Sequence, residues 1–217
     1  MKLKPCFMAV LCLGISLLSF NTFAKPVGIT QQIVEFTVQH GNKLVTVKRN
    51  QNQHAVIEPH FAKTSRPCPP FCAQPIKAAP GVRLIGEVEL VQFMMSKLAD
   101  GTGALVDART PDWHAKGTIP GSINIPYTDV NQKLGADDIS IEDAMERLSV
   151  VNTDNGWDFS GAKILAIWCN GPWCGQSPTA IRGLIALGYP PSKILYYRGG
   201  MQMWKVFGLN VVAPAEE

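Results

Sequence analysis

The stretch that decides the fold runs from residue 164 to residue 177 and reads ILAIWCNGPWCGQS. Its first five residues, Ile164 to Trp168, are apolar and partly β-branched, which predicts a buried strand that ends at Cys169. A loop with two glycines and a second cysteine, Cys174, then leads into a helix that we expect to begin near Pro178. A cysteine between a strand and a helix start faces backbone N–H groups and the positive end of the helix dipole, and both stabilise a thiolate.

Two interpretations of Cys169 compete. An arbitrary cysteine that closes a strand is more often a small buried hydrophobe than a reactive group. The helix start, the glycines and the nearby Cys174 favour the second interpretation, a reactive thiol, because these features lower a thiol pKa.

The chain around this stretch alternates helices and strands from residue 81 onwards. Hydrophobic spacing predicts helices over 87–99, 140–150 and 178–187, strands over 104–107 and 194–197, and a terminal helix after Gly199 and Gly200. This alternation predicts an α/β fold with a mainly parallel sheet flanked by helices. Ligands of such folds bind beyond the carboxyl ends of the strands, where Cys169 is expected.

The N-terminal part has a different character. Residues 33–38 and 44–47 alternate apolar and polar side chains around a turn, which predicts a β-hairpin, and Val56 with Ile57 is a candidate third strand. Prolines then accumulate up to residue 80. We interpret residues 25–80 as a small N-terminal β appendage with a stiff Pro/Cys-rich connector, and residues 81–217 as the main domain.

Residues 1–24 are typical of a secretory signal peptide, with a basic start, an apolar stretch and small residues before Lys25. We expect export across the inner membrane to the periplasm, with no membrane anchor after cleavage. Loss of Lys2 and Lys4 lowers the formal net charge from +3 to +1. Such a nearly neutral chain gives no indication of nucleic acid as a partner.

Four cysteines follow the predicted leader, in two close pairs. For Cys68 and Cys72 a local disulfide is the leading interpretation, because exported chains usually oxidise such pairs. A redox partnership with the Cys169 loop and a metal site built from all four cysteines are the alternatives. Neither spacing is the two-residue gap common in zinc sites, so we assign no metal. We also expect that no organic cofactor is required.

Three segments, taken in order, resemble the rhodanese, or sulfurtransferase, domain family. The first is LVDAR at 105–109 with GTIPGSINIP at 117–126. The second is the strand, loop and helix around Cys169, which end in LGY at 187–189, and the third is YRGGMQMW at 197–204. The likeness covers residues 81 to 212 and leaves residues 25–80 outside it.

The resemblance implies that Cys169 attacks the outer sulfur of a small donor, thiosulfate or a persulfide, and carries that sulfur as a persulfide to a thiol acceptor, small or on a protein. The expected substrate-binding loop comprises Asn170, Gly171, Trp173, Gly175, Gln176 and Ser177. No basic residue lies between Cys169 and Ser177. Arg182, one turn into the helix, is therefore the candidate cation for an anionic donor.

Cys174 leaves the function open between two classes. It can attack a persulfide on Cys169 and release sulfide, as part of a sulfur-transfer enzyme. Alternatively, a Cys169–Cys174 bridge belongs to a non-catalytic binding or scaffold module, or to a thiol–disulfide redox protein. We expect the remaining residues near the site to be structural: Asp107, Arg109, Gly199 and Gly200.

Overall fold

The computed structural model of the protein describes residues 26–215; the predicted signal peptide, residues 1–24, lies outside them. The described chain contains nine strands and six α-helices. In chain order they are β1 (Glu35–His40), β2 (Lys43–Lys48), α1 (Pro59–Ala62), β3 (Arg83–Ile85), α2 (Glu87–Phe93), β4 (Gly103–Asp107), α3 (Pro111–His114), β5 (Ser122–Asn124), α4 (Asp138–Arg147), β6 (Val151–Thr153), β7 (Gly156–Asp158), β8 (Ile164–Trp168), α5 (Gln176–Ala186), β9 (Ile194–Tyr197) and α6 (Gly200–Val206). A π-helical turn, Met94–Leu98, extends α2. Within residues 26–215 no helix has the length and apolarity that a bilayer crossing requires.

Strand β8 lies at the centre of a five-stranded parallel sheet with the order β3-β9-β8-β4-β5. Its residues are buried from Leu165 onwards, as expected for a strand covered on both faces. The register sets its last residue, Trp168, opposite Asp107 of β4 and Tyr197 of β9. The predicted α/β fold with a mainly parallel sheet is confirmed, and Cys169 leaves the sheet at the centre of its carboxyl edge.

Two hydrophobic clusters cover the two faces of this sheet. One packs Ile167 and Tyr196 against α4 and α5. The other packs Trp168 against Trp204 of α6, α2 and the buried Val38 of β1. Burial of an apolar side chain such as Val38 contributes about 1.5–3 kcal/mol. This packing stabilises the position of the hairpin on the sheet. The domain boundaries near residues 25 and 80 stay predictions.

The N-terminal hairpin is confirmed, but the third strand is not. Strands β1 and β2 pair antiparallel from Glu35 opposite Lys48 to His40 opposite Lys43. Residues 55–58 have no strand assignment, and Val56 is 91% exposed. Ile57 is partly buried against the cluster that contains Trp168, but neither residue has a ladder partner, so the dipeptide does not form a strand.

Two helices begin earlier than predicted. Helix α4 starts at Asp138, because the Asp137 carboxylate caps it by accepting a hydrogen bond from the Ser140 N–H at 2.8 Å. Helix α5 starts at Gln176 rather than near Pro178, since a proline is tolerated within the first turn, where N–H groups lack helical partners. The earlier start of α5 brings Ser177 into its first turn.

The carboxyl edge of the sheet is fixed by a buried network around Asp107, which ends β4. The Arg109 guanidinium donates to both carboxylate oxygens of Asp107, at 2.8 and 2.6 Å, and to the Gly117 carbonyl at 2.7 Å. The Thr118 hydroxyl and His114 Nδ1 each lie 3.0 Å from the same carboxylate. Burial, the largest effect, raises the pKa of Asp107, but the bonds from Arg109 and His114 outweigh it and lower this pKa.

We expect Asp107→Asn to lower the free energy of unfolding at pH 7 by about 3–5 kcal/mol, because it leaves the buried Arg109 charge unpaired. The lowered pKa means that this stabilisation is present at neutral pH and is lost as the pH falls through the folded-state value, so the two proteins should converge in acid. Urea unfolding from neutral to acidic pH measures this.

The control is Asp143→Asn, whose partner Arg147 is 3.7 Å away and whose side chain is 68% exposed. Exposed pairs contribute about 0–1 kcal/mol. If both variants lost equally little at pH 7, the network would not stabilise the sheet edge.

Candidate active site

Cys169 follows β8 directly, and its backbone is held against the start of α6. The Cys169 carbonyl accepts from the Met201 N–H at 2.9 Å, and the Asn170 carbonyl accepts from the Gln202 N–H at 3.0 Å. Gly200 has φ +56, and a Cβ there would lie 2.2 Å from the Cys169 carbonyl oxygen. Only glycine permits this approach at position 200; the structural role predicted for Gly199 and Gly200 stays a prediction.

The Cys169 sulfur is surrounded by hydrogen-bond donors from the first turn of α5 and from the loop. The Ser177 hydroxyl donates to Sγ at 3.0 Å. Burial, the largest effect, raises the pKa of the Cys169 thiol, but bonds from the Cys174 and Ser177 side chains and from the backbone N–H groups of Ser177 and Gly171 bring it to about 7. The thiol and the thiolate are therefore both populated at neutral pH.

Cys174 is the protonated partner of this pair. Its hydrogen bond to Cys169, together with burial, raises the pKa of Cys174 well above its usual range. The two cysteines are separate thiols. Cys169 Sγ also lies 3.3 Å from the Cys174 carbonyl oxygen, which can accept from the neutral thiol. When Cys169 is ionised, the two cysteines share a single proton, and this proton resides on Cys174.

The reactive sulfur is covered rather than open to solvent. Cys169 is 2% exposed and Cys174 is 5% exposed. The Cys174 N–H bonds the Gly171 carbonyl at 2.9 Å, which turns the loop back over the sulfur. Any substrate must therefore reach Cys169 through a movement of the loop or of what lies on it.

The Pro/Cys-rich connector lies on the outer side of this loop. The Gln74 N–H donates to the Pro172 carbonyl at 2.9 Å, and the Gln74 side chain faces Gly175. The Arg198 guanidinium, which follows β9, donates twice to the Gln74 carbonyl, at 3.1 and 2.7 Å. One backbone bond thus links the connector to the loop, and the Arg198 side chain links the connector to the end of β9.

A stack of side chains adds to this contact. The Arg66 guanidinium lies 4.7 Å from the ring centroid of Phe71 and 4.3 Å from that of Trp173 in the loop. The two rings meet edge to face at 5.4 Å. Cys68 and Cys72 form a disulfide that closes the segment containing Phe71, which agrees with the leading interpretation of that pair.

The structure brings together most, but not all, of the sequence-predicted site residues. Gly171, Cys174 and Ser177 contact the Cys169 sulfur, whereas Asn170 Nδ2 and Gln176 Oε1 contact the sulfur of Cys174, at 3.9 and 3.6 Å. Trp173 points away from it, and its Nε1–H donates to Gln202 Oε1 at 2.8 Å. Arg182 is exposed and donates to the Thr179 hydroxyl at 3.1 Å. It does not approach the sulfur.

Sequence reasoning missed the groups that reach the site from other segments: Arg66, Gln74, Tyr196 and Arg198. Arg198 had a readable signal, because it is a basic residue beside the glycine pair at a strand end. The contacts of Arg66 and Gln74 left no signal in the local sequence, because their partners are distant in the chain. Gln74, for example, is 124 positions from Arg198. In residues 26–215 no cluster of three or more metal-binding His, Cys, Asp or Glu side chains is found.

Comparisons with known proteins agree with this architecture. The sequence model described as the rhodanese-like domain matches residues 90–206, more than half of the 217-residue chain. The chain therefore belongs to the rhodanese-like domain family. A comparison with curated proteins gives no match.

Three similar solved structures have low sequence identity to this chain. The BH2092 protein from Bacillus halodurans is 20% identical, over 60% of this chain and 77% of its own, with a TM-score of 0.44. The human single-domain sulfurtransferase TSTD1 is 21% identical, over 58% of this chain and 96% of its own, with a TM-score of 0.38. The thiosulfate sulfurtransferase from Pseudomonas aeruginosa is 17% identical, over 64% of this chain and 21% of its own, with a TM-score of 0.42.

We expect Ser177→Ala to raise the pKa of Cys169 by about 1–2 units, because a hydrogen bond to a charged group contributes about 1.5–3 kcal/mol. The rate of iodoacetamide modification of Cys169, followed by peptide mass analysis against pH, reports this pKa. In the wild type the rate should rise with pH through a midpoint near 7. Thr179→Ala is the control, since that hydroxyl meets Arg182 and not the sulfur. Equal midpoints in all three proteins would contradict the role of Ser177.

We expect Arg66→Ala to expose Cys169 more often, because it removes the cation that stacks on Trp173. At a pH well above the midpoint, the modification rate of Cys169 should increase by about threefold or more. Arg83→Ala, an exposed arginine on the edge strand β3, should leave the rate unchanged. A faster rate in both variants, or in neither, would show that the Arg66 stack does not control access.

Proposed function

We propose that this protein is a sulfurtransferase in which Cys169 is the nucleophile and sulfur carrier. The observation that carries the proposal is the stabilised Cys169 thiolate: a nearly enclosed sulfur whose pKa is nevertheless about 7. A thiolate at neutral pH is what attack on a sulfur–sulfur bond requires. Sulfurtransferase-like members of the family use small sulfur donors and thiol acceptors.

The proposed reaction has two displacement steps. The Cys169 thiolate attacks the outer sulfur of thiosulfate, a new sulfur–sulfur bond forms, and the old one breaks with its electron pair leaving on sulfite. An acceptor thiolate then attacks the outer sulfur of the Cys169 persulfide and leaves as a persulfide itself, which restores the Cys169 thiolate. A persulfide donor follows the same steps with a thiolate as the leaving group, and no external oxidant or reductant is consumed.

The charges around the loop favour an anionic donor. The loop itself lacks a basic residue, but Arg198 and Arg66 both contact groups on its outer side. Guanidinium groups bind oxyanions through fixed pairs of N–H donors. We assign the initial attraction of the donor to these two arginines instead of Arg182.

Cys174 is proposed as a second reactive group. A Cys174 thiolate that attacks the inner sulfur of the persulfide would release sulfide and leave a Cys169–Cys174 disulfide. The high pKa of Cys174 disfavours this attack at neutral pH and keeps the residue as a proton donor to Cys169. The alternative of a scaffold with a permanent bridge has no specific observation in its favour, because both cysteines are thiols.

We propose that the protein is located in the cell envelope, in the periplasm. Residues 25–80 form an appendage and connector before the rhodanese-like domain. Two observations support the location: the leader-like sequence of residues 1–24 and the Cys68–Cys72 disulfide, a bond that persists in oxidising compartments. Fractionation of cells that express the full chain, with N-terminal sequencing of the product, tests it. A cytoplasmic protein that retains residue 1 would refute it.

We expect Cys169→Ser to reduce sulfur transfer from thiosulfate to cyanide to background, because a serine hydroxyl is not ionised at neutral pH. Cys174→Ser should retain activity within about tenfold of the wild type, since the serine hydroxyl can still donate to the thiolate. Thiocyanate formation measures turnover, and intact mass locates the added sulfur. Activity that is indifferent to both substitutions, with both variants folded, would reject Cys169 as the carrier.

A further inference from the structure

Tyr196 is a buried residue beside the reactive sulfur for which the proposed reaction has so far no use. Strand β9 pairs with β8 so that Tyr196 lies opposite Ile167, two residues before Cys169. Side chains two positions apart in a strand point to the same face. Ile167 and Tyr196 both pack in the cluster on the α5 side of the sheet. Tyr196 therefore stands on the α5 side of the sheet, where Ser177 contacts the sulfur.

The Tyr196 hydroxyl makes no hydrogen bond of normal geometry in the part of the chain that is described, although the residue is only 1% exposed; the Ser177 hydroxyl interacts with it only weakly. The two other buried tyrosines behave differently. The Tyr189 hydroxyl donates to the Lys163 carbonyl at 2.6 Å, and the Tyr197 hydroxyl donates to Glu87 Oε1 at 3.1 Å. Buried hydroxyls without partners are rare because they are costly. The unpaired phenol at this position points to a partner that forms only during the reaction.

The electrostatic surroundings show which group the phenol faces. Burial raises the pKa of Tyr196 most strongly, and the charges of Cys169 and Cys174 raise it further, while Arg198 and the Ser177 hydroxyl lower it. The phenol is thus within electrostatic reach of both sulfurs and stays protonated at neutral pH. The protonated phenol can therefore donate a hydrogen bond to an acceptor that forms near Cys169.

We propose that the Tyr196 hydroxyl donates a hydrogen bond to the outer sulfur of the Cys169 persulfide and so stabilises the loaded form of the protein. The inference rests on the proposed function. In the resting state Ser177 and the backbone N–H groups bind the sulfur of Cys169 itself. Once a persulfide forms, the negative charge moves to a new sulfur about 2 Å further out. That second position needs its own donor, and Tyr196 is a buried donor near Cys169 whose hydroxyl makes no hydrogen bond of normal geometry at rest.

The test is Tyr196→Phe in the full chain, loaded with thiosulfate and compared with the wild type by intact mass. The variant should keep the pH midpoint of Cys169 modification, because the resting thiolate does not use this hydroxyl. Its persulfide occupancy at a fixed, subsaturating thiosulfate concentration should fall about tenfold or more, as expected for losing a hydrogen bond to an anion. The persulfide should also decay correspondingly faster after thiosulfate is removed.

Tyr189→Phe is the matched control, since it removes a buried phenol that has a partner in the same cluster. It should lower the urea midpoint of unfolding and leave the persulfide occupancy unchanged, whereas Tyr196→Phe should not lower the urea midpoint. A Tyr196→Phe variant with wild-type occupancy and decay, in a wild type that does form the persulfide, overturns this inference alone. A wild type that never acquires sulfur on Cys169 overturns the proposed function together with it.

Discussion

A thiol that is 2% exposed ordinarily resists ionisation, because burial removes the water that would stabilise its charge. Here the Ser177 hydroxyl at 3.0 Å and the N–H groups of Ser177 and Gly171 take the place of that water. The rest of the site depends on this replacement. It requires that β8 deliver Cys169 to the edge of the sheet, that α5 begin at Gln176, and that the loop turn back over the sulfur.

The enclosed sulfur also explains why so much of the chain packs around one short loop. Gly200 permits α6 to touch the Cys169 backbone, and the Asp107 network fixes the neighbouring strand end. The connector closes the outer side through Gln74 and the Arg66 stack. Because the Cys169 thiolate is shielded from water, its hydrogen bonds to the loop and to α5 are strong. A substrate can reach this sulfur only if part of the surrounding structure moves. The connector, whose residues 63–77 are mostly exposed, is suited to this movement.

Local patterns were enough to predict the framework. The apolar run of β8, the alternation in β1 and β2, and the glycine pair before α6 each carry a signal within a few residues, and each element is confirmed. Strand β3 and the β6–β7 hairpin are only three residues per strand, too short to show a period, and were missed. The sequence predicts the start of α5 two residues too late, because the first turn contains a proline. The predicted roles of Cys169 and Cys174 in catalysis stay predictions.

What the sequence could not show were contacts between distant segments. The burial of Cys169, the connector on the loop and the unpaired Tyr196 hydroxyl arise from tertiary packing, which no local pattern encodes. The central claim is that Cys169 is kept as an ionisable thiol next to a protonated Cys174. Its most direct test is to quench cells with acid, then alkylate the free thiols in denaturant at neutral pH and map every cysteine by mass. The account predicts linked Cys68 and Cys72, Cys174 as a thiol, and Cys169 as a thiol or persulfide; a Cys169–Cys174 disulfide throughout would contradict it.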